Sequence, residues 1–221
     1  MKKILTIAFW ALSIFFCYMI YKSVMEPIEF NKTKSNRYTE VIRKLKDIRD
    51  AQEAYRVVNG KYASNFDELV NFVENGKFTI TSQRDTSWIE FNRTFNIDEL
   101  KQGVVIDTLG YQSVKDSLFK NSDRYKTLNE VILKSGGEEK KINVTMKSGT
   151  VEKNGYEVSV FEASVPKAEV LWDQSAEQII NEEERNSVED VKGKEIKVGS
   201  LEDVSTNGNW PTLYDARTAR K

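Results

Sequence analysis

IRDAQEAYRVVNGKYASNFDELVNFV, residues Ile48 to Val73, holds the end of one amphipathic helix, a tight break at Asn59-Gly60 and a second short helix. Reading upstream from it, Tyr38, Val41, Leu45, Ile48, Gln52 and Tyr55 recur at steps of three and four, while Arg43, Lys44, Lys46, Asp47, Arg49, Asp50 and Glu53 occupy the other faces. That is the spacing of a helix with one apolar stripe. Asn59-Gly60 supplies a left-handed stop. Ser64 or Asn65 can cap the next helix, whose Phe66, Leu69, Val70 and Val73 share a face until Gly76. Tyr38, Val41, Leu45, Ile48, Tyr55 and Leu69 are therefore the expected packing seam. The spacing also permits a short coiled coil, but Gln52 on the stripe favours packing against the chain's own sheet.

Further upstream, Ile4 to Ile20 carries no charge. As a helix those residues span roughly 25 Å, near the lower limit for crossing a bilayer core. No small-x-small cleavage site follows, and Phe15 and Phe16 directly precede Cys17, so signal cleavage and lipidation are both disfavoured. An uncleaved signal anchor over 1–22 is expected, with Ile4, Ala8, Trp10, Leu12, Phe15, Phe16, Tyr18 and Ile20 facing lipid and Lys22 snorkelling at its end. Lys2 and Lys3 keep the short N-terminus in the cytoplasm and send the rest across. Residues 23–35 form a juxtamembrane linker in which Pro27 is expected to break or kink the helix.

Downstream, KFTITSQ, SWIEFNRTF and GVVIDTL alternate or are β-branched, and KINVTMKSGTVEKNGYEVSVFEASV holds two alternating runs joined at Asn154-Gly155, the clearest hairpin signal in the chain. Tyr111 to Leu118 reads as another strand, Tyr125 to Leu133 as a short strand or helical turn, Gln174 to Asn186 as a helix, and Lys194 to Val198 as a last strand. Gly199 to Tyr214 reads as an ordered loop. The expected fold is α+β: a transmembrane helix, an amphipathic helix and a short second helix packed on a mainly antiparallel sheet. A single exported head is expected over 36–214, with a helical spine at 36–76, a β-rich part at 77–214, and a flexible tail at 215–221.

Composition narrows the chemistry. Basic and acidic residues number 33 and 34; without Lys2, Lys3 and Lys22 the remainder carries 30 against 34, a balance of −4. No basic stripe is available for phosphates, which disfavours nucleic acid. Histidine is absent, removing the commonest general base and transition-metal ligand. No phosphate-binding loop, dinucleotide fingerprint, nucleophile elbow or zinc spacing is present, so no catalytic residue and no cofactor is expected. The run Glu182-Glu183-Glu184 reads as a solvated helix face rather than an acid–base pair. Asp203, Asn207, Asn209 and Asp215 gather hard oxygen donors around Gly208, candidates for calcium in a spacing that matches no fixed motif. Thr108 and Ser117, in Asp-Thr-Leu and Asp-Ser-Leu, are candidates for O-glycosylation.

The run from Ile48 to Val73 resembles type IV pilins and the pseudopilins of type II secretion, in which a hydrophobic N-terminal helix continues into an amphipathic one. Ala51, Gln52, Tyr55, Asn59, Gly60, Tyr62 and Leu69 occupy matching places, and the likeness spans about 70 residues including the anchor. The chain has no glycine before Gly60 and no acidic residue before Glu26. The prepilin-peptidase site and the family's anchor glutamate are thus both missing. YQSVKDSLF, VSVFEASV and VGSLEDVSTNGNW are similar to segments of uncharacterised single-pass membrane proteins of bacteria. The resemblance implies a pilin-like head on the periplasmic side of a bacterial inner membrane. A non-enzymatic assembly or partner-binding subunit is expected, with the lipid bilayer and proteins of an envelope complex as partners and self-association open to its N-terminal helix. The alternative is a membrane-tethered ligand-binding or sensing module.

Overall fold

The computed structural model describes residues 2–120, 122–135, 137–185 and 187–218, without the side chains of residues 2, 4, 5, 8, 217 and 218. One helix, α1, runs from Lys2 to Asn59. The break expected in the 23–35 linker does not occur. Pro27 withdraws one backbone donor, but the bonds on either side persist, and Phe30, Lys34, Arg37 and Tyr38 are buried immediately beyond it. The helix ends as its sequence predicts, at Gly60, which has φ 75° and donates its N–H to the Arg56 carbonyl at 2.8 Å.

The chain divides into two compact units, one of Met1–Arg49 with Leu128–Lys221 and one of Asp50–Thr127, where a single head is expected from the sequence. Among the described residues the strands form three small sheets rather than one, all antiparallel. The architecture is a mixture of helix and sheet led by a long N-terminal helix.

In the Asp50–Thr127 unit, the last turns of α1 meet α2 (Phe66–Asn75). Gln52, on the apolar stripe, is fully buried and satisfied: its Oε1 accepts the Ala63 N–H at 2.9 Å and its Nε2 donates to the Ala63 carbonyl at 3.1 Å. It clamps the loop between the helices. Asn65 caps α2, accepting the Glu68 N–H at 2.8 Å, and the Glu68 carboxylate accepts the Ser64 N–H at 3.1 Å and the Tyr55 hydroxyl. Tyr55 also stacks edge-on against Phe72, ring centres 5.0 Å apart. Beyond α2 come β1 (Lys77–Asn92) and β2 (Ile97–Ser113), paired along their whole length. The sequence reads as three shorter strands there, because Arg84-Asp85-Thr86 and Asp98-Glu99 look like interruptions. A two-stranded ribbon with both faces in solvent tolerates polar residues at any position. β2 stops at Ser113, whose hydroxyl caps the short helix α3 (Val114–Leu118), so the strand expected at Tyr111 to Leu118 is half helix.

In the other unit, β3 (Glu130–Ser135) pairs with β4 (Glu138–Asn143). β5 (Thr145–Lys153), β6 (Tyr156–Pro166) and β7 (Glu195–Gly199) form a three-stranded sheet with β6 central. The β5–β6 turn is Asn154-Gly155 at φ 55° and 79°, the two positive φ values of a type I′ hairpin. α4 (Lys167–Val170) and α5 (Ala176–Glu184) follow β6. Tyr38, Val41, Leu45 and Ile48 of α1 are fully buried in this unit, whose core also holds Phe161, Val165, Leu171, Ile196 and Val198. Residues Thr212–Thr218 form a helix, α6, where the sequence predicts a loop running into a flexible tail from 215.

Candidate functional site

The register of β1 and β2 decides what the ribbon presents. Ile89 faces Leu100 and Phe91 faces Asp98, while Val104 and Ile106 stand opposite Asp85 and Gln83. Because side chains alternate, Ile89, Phe91, Leu100, Val104 and Ile106 share one face. Each leaves between 52% and 70% of its surface exposed. Gln83, Asp85, Ser87, Asp98 and Gln102 stand among them on that face, and the opposite face carries Trp88 and Ile97 beside two ion pairs, Lys101 2.7 Å from Glu90 and Arg84 3.4 Å from Asp107. An extra residue, Leu109, enters β2 where the register shifts between Ile80 and Thr81. Five large apolar side chains on one face expose on the order of 500 Å², the upper range for a monomer's largest patch. An isolated two-stranded ribbon is marginal in water.

A second constellation lies inside the unit containing β3 to β7. Glu182 is 1% exposed and faces Lys34 Nζ at 2.9 Å, Lys167 Nζ at 3.8 Å and Arg185 Nε at 3.8 Å. The Tyr38 hydroxyl stands 3.5 Å from its other side, and Asp190 adds a carboxylate 3.6 Å from Lys34. This corrects the solvated reading of Glu182-Glu183-Glu184: the first of the three is sealed in. Burial, then the Glu182 charge, pushes the Tyr38 phenol far above its ordinary range. Burial also lowers the Lys167 ammonium, against the Glu182 charge that raises it. Lys167 donates to the carbonyls of Glu182 and Val191 at 2.9 and 2.7 Å. With no solvent-exposed surface, its ammonium ties α4 to α5 and to the segment at Val191, and Glu182 carries the tie on to Lys34 of α1.

Beside it, Arg37 grips Asp173 with two bonds of 2.7 and 2.6 Å and donates to the Val170 carbonyl at 2.9 Å. Its guanidinium lies 4.2 Å from the centre of the Trp172 ring. These bonds, joined by those from Gln174 and Ser135, outweigh burial and hold the Asp173 carboxyl well below the usual range. The sequence signal for both constellations is positional. Lys34 stands one turn before Tyr38 on the seam, and Glu182 three residues after Ile179, so each is an ionisable residue at a core-facing step.

The predicted seam residues Tyr38, Val41, Leu45, Ile48 and Leu69 are fully buried and Tyr55 nearly so. In the anchor, Trp10, Leu12, Phe15, Phe16, Tyr18 and Ile20 are exposed, while the side chains of Ile4 and Ala8 lie outside the described residues. From Phe9 the helix has a stretch of mean hydropathy 1.2 with none of it buried. This candidate transmembrane helix fits a single-pass membrane protein.

The four calcium candidates are each engaged separately. Asp203 pairs with Lys153 at 2.7 Å. Asp215 pairs with Lys46 at 2.7 Å and accepts from the Trp210 ring N–H at 3.1 Å. Asn209 bridges backbone groups of Lys192, Glu195 and Lys197, and Asn207 gives its carbonyl to the Gly199 N–H. Among the described residues no three His, Cys, Asp or Glu side chains gather as a metal site. Thr108, on β2 opposite Thr81, and Ser117, in α3, are both exposed. No family model matches the chain, nor does any curated protein or solved structure.

Proposed function

We propose that the chain is a non-enzymatic, single-pass protein of the bacterial envelope whose exported, pilin-like head acts as an assembly or partner-binding subunit. One observation carries this reading: the β1–β2 ribbon sets Ile89, Phe91, Leu100, Val104 and Ile106 on a single uncovered face. A ribbon of 16 and 17 residues extends about 50 Å at 3.3 Å per residue. Leaving that much apolar edge in water costs stability unless another surface covers it. Two features of α1 support the pilin-like part. The apolar segment and the amphipathic segment are one continuous helix, and Gln52, Tyr55, Asn59 and Gly60 make the helix end and its clamp.

The test is a photo-crosslinking amino acid at position 100, introduced into the full-length chain in its native membrane. Discrete adducts of defined mass are the expected result, with far fewer from a probe at position 101 on the opposite face. Equal labelling from both faces, or none above background, would overturn the reading. Protease added to intact spheroplasts checks the topology: the head is digested if exported and protected if cytoplasmic.

A further inference from the structure

A groove of about 970 Å³ lies within the unit that holds β3, between α1 and that strand. Its helical wall includes Lys32, Asn36 and Arg37, and its strand wall is Ile132, Leu133 and Lys134. Those last three are consecutive. Successive side chains of a strand point to opposite faces, so a groove touched by three in a row follows the strand's edge rather than either face. β3 pairs with β4 alone in a two-stranded sheet. Among the described residues, its edge away from β4 therefore keeps backbone donors and acceptors outside any ladder, a template for an added strand.

The charge of the groove selects what fits. Lys32, Arg37 and Lys134 line it against one acid, Glu40. Arg37 is held by Asp173, Lys134 by Glu139 at 2.6 Å, and Glu40 by Arg43 at 2.7 Å. Lys32 is exposed and has no ion pair among the described residues. We propose that β3 accepts an extended, acidic segment of a partner protein as a third strand, with main-chain bonds to the β3 edge and a carboxylate facing Lys32. Six residues of β3 offer about 20 Å of edge, enough for a segment of similar length. None of the groove's residues belongs to the β1–β2 ribbon, and the proposal stands without the reading given for it.

The experiment uses the full-length chain in neutral phosphatidylcholine nanodiscs and fluorescence anisotropy of three labelled hexapeptides. One alternates valine and glutamate, the second is the same with alternate backbone amides N-methylated, and the third has lysine in place of glutamate. Saturable binding of the first is expected, at least tenfold weaker for the second and third. Lys32→Glu, on an exposed side chain, is expected to weaken the first at least fivefold while leaving the melting curve unchanged, and Lys147→Glu, the same charge reversal on an exposed lysine of β5, to leave binding as it was. No saturable binding, equal binding of the N-methylated peptide, or indifference to Lys32→Glu would overturn the proposal. A concentration-dependent dimer broken by Lys32→Glu would assign the edge to a second copy and overturn it equally.

Discussion

Replacing Glu182 with glutamine keeps the shape of a side chain that is 1% exposed and removes its charge. At an effective dielectric of about 20, unit charges attract by roughly 6 kcal/mol at the 2.9 Å of Lys34 and roughly 4 kcal/mol at the 3.8 Å of Lys167. Desolvation of the three groups offsets much of that attraction. Removing one member leaves the others charged in a sealed site, which costs about 3–5 kcal/mol. Lys34 retains Asp190 at 3.6 Å and Lys167 retains the Val191 carbonyl at 2.7 Å, so the lower end applies, about 3 kcal/mol. For a chain of this size that lowers the melting temperature by about 6–12 °C. The assay is thermal unfolding of the full-length chain in detergent micelles, followed by near-UV circular dichroism. Glu184→Gln, on an exposed side chain of the same acidic run, is expected to change stability by less than about 0.5 kcal/mol. Equal effects from the two substitutions, or a Glu182→Gln protein as stable as wild type, would refute the buried clasp.

Gln52→Ala strips the Ala63 N–H and carbonyl of their partner in a fully buried site; a loss of about 2–4 kcal/mol is expected, with faster hydrogen exchange at the Ala63 amide. Asp173, held low by Arg37, has a folded pKa below its unfolded value of about 3.9. Its contribution is therefore complete above that value and is lost as pH falls through the folded pKa. Asp173→Asn should flatten the decline of urea midpoints below about pH 4 and leave a less stable protein at neutral pH. The Tyr55 phenol, raised to about 12 by its bond to Glu68 and by burial, stays protonated when the unfolded chain's tyrosines ionise near 10. Stability thus falls between those values, and ultraviolet titration should show the late tyrosine moving earlier in Glu68→Gln. Gly199→Ala drives a Cβ into the Phe161 carbonyl oxygen at φ 79°, and at least about 2 kcal/mol is expected to be lost from the β6–β7 pairing, read as a lower urea midpoint.

What is legible in the sequence follows from how local each feature is. The seam from Tyr38 to Tyr55, the stop at Asn59-Gly60, the Asn65 cap and the Asn154-Gly155 turn each depend on residues a few positions apart, and the structure has all of them. Pro27 misleads because a helix can lose one hydrogen bond when burial begins three residues later, at Phe30. The ribbon misleads in the opposite direction. Polar residues mark strand ends only where a face is buried, and β1 and β2 bury neither over most of their length. The ionic clasp joins residues 34, 167 and 182, a convergence that periodicity along one segment cannot announce. Its trace is an acidic residue on the apolar side of α5, hidden among two acidic neighbours.

The uncovered ribbon face is tested most directly by the size of the particle that carries the chain when native membranes are extracted in mild detergent. Native mass measurement of wild type beside a Leu100→Lys, Val104→Lys variant makes the comparison. The expected result is a discrete assembly well above the 25.5 kDa of one chain that falls to the single chain in the variant while its melting temperature stays within a few degrees. A lone chain in both samples, or an assembly of unchanged mass in the variant, would contradict a partner-binding ribbon.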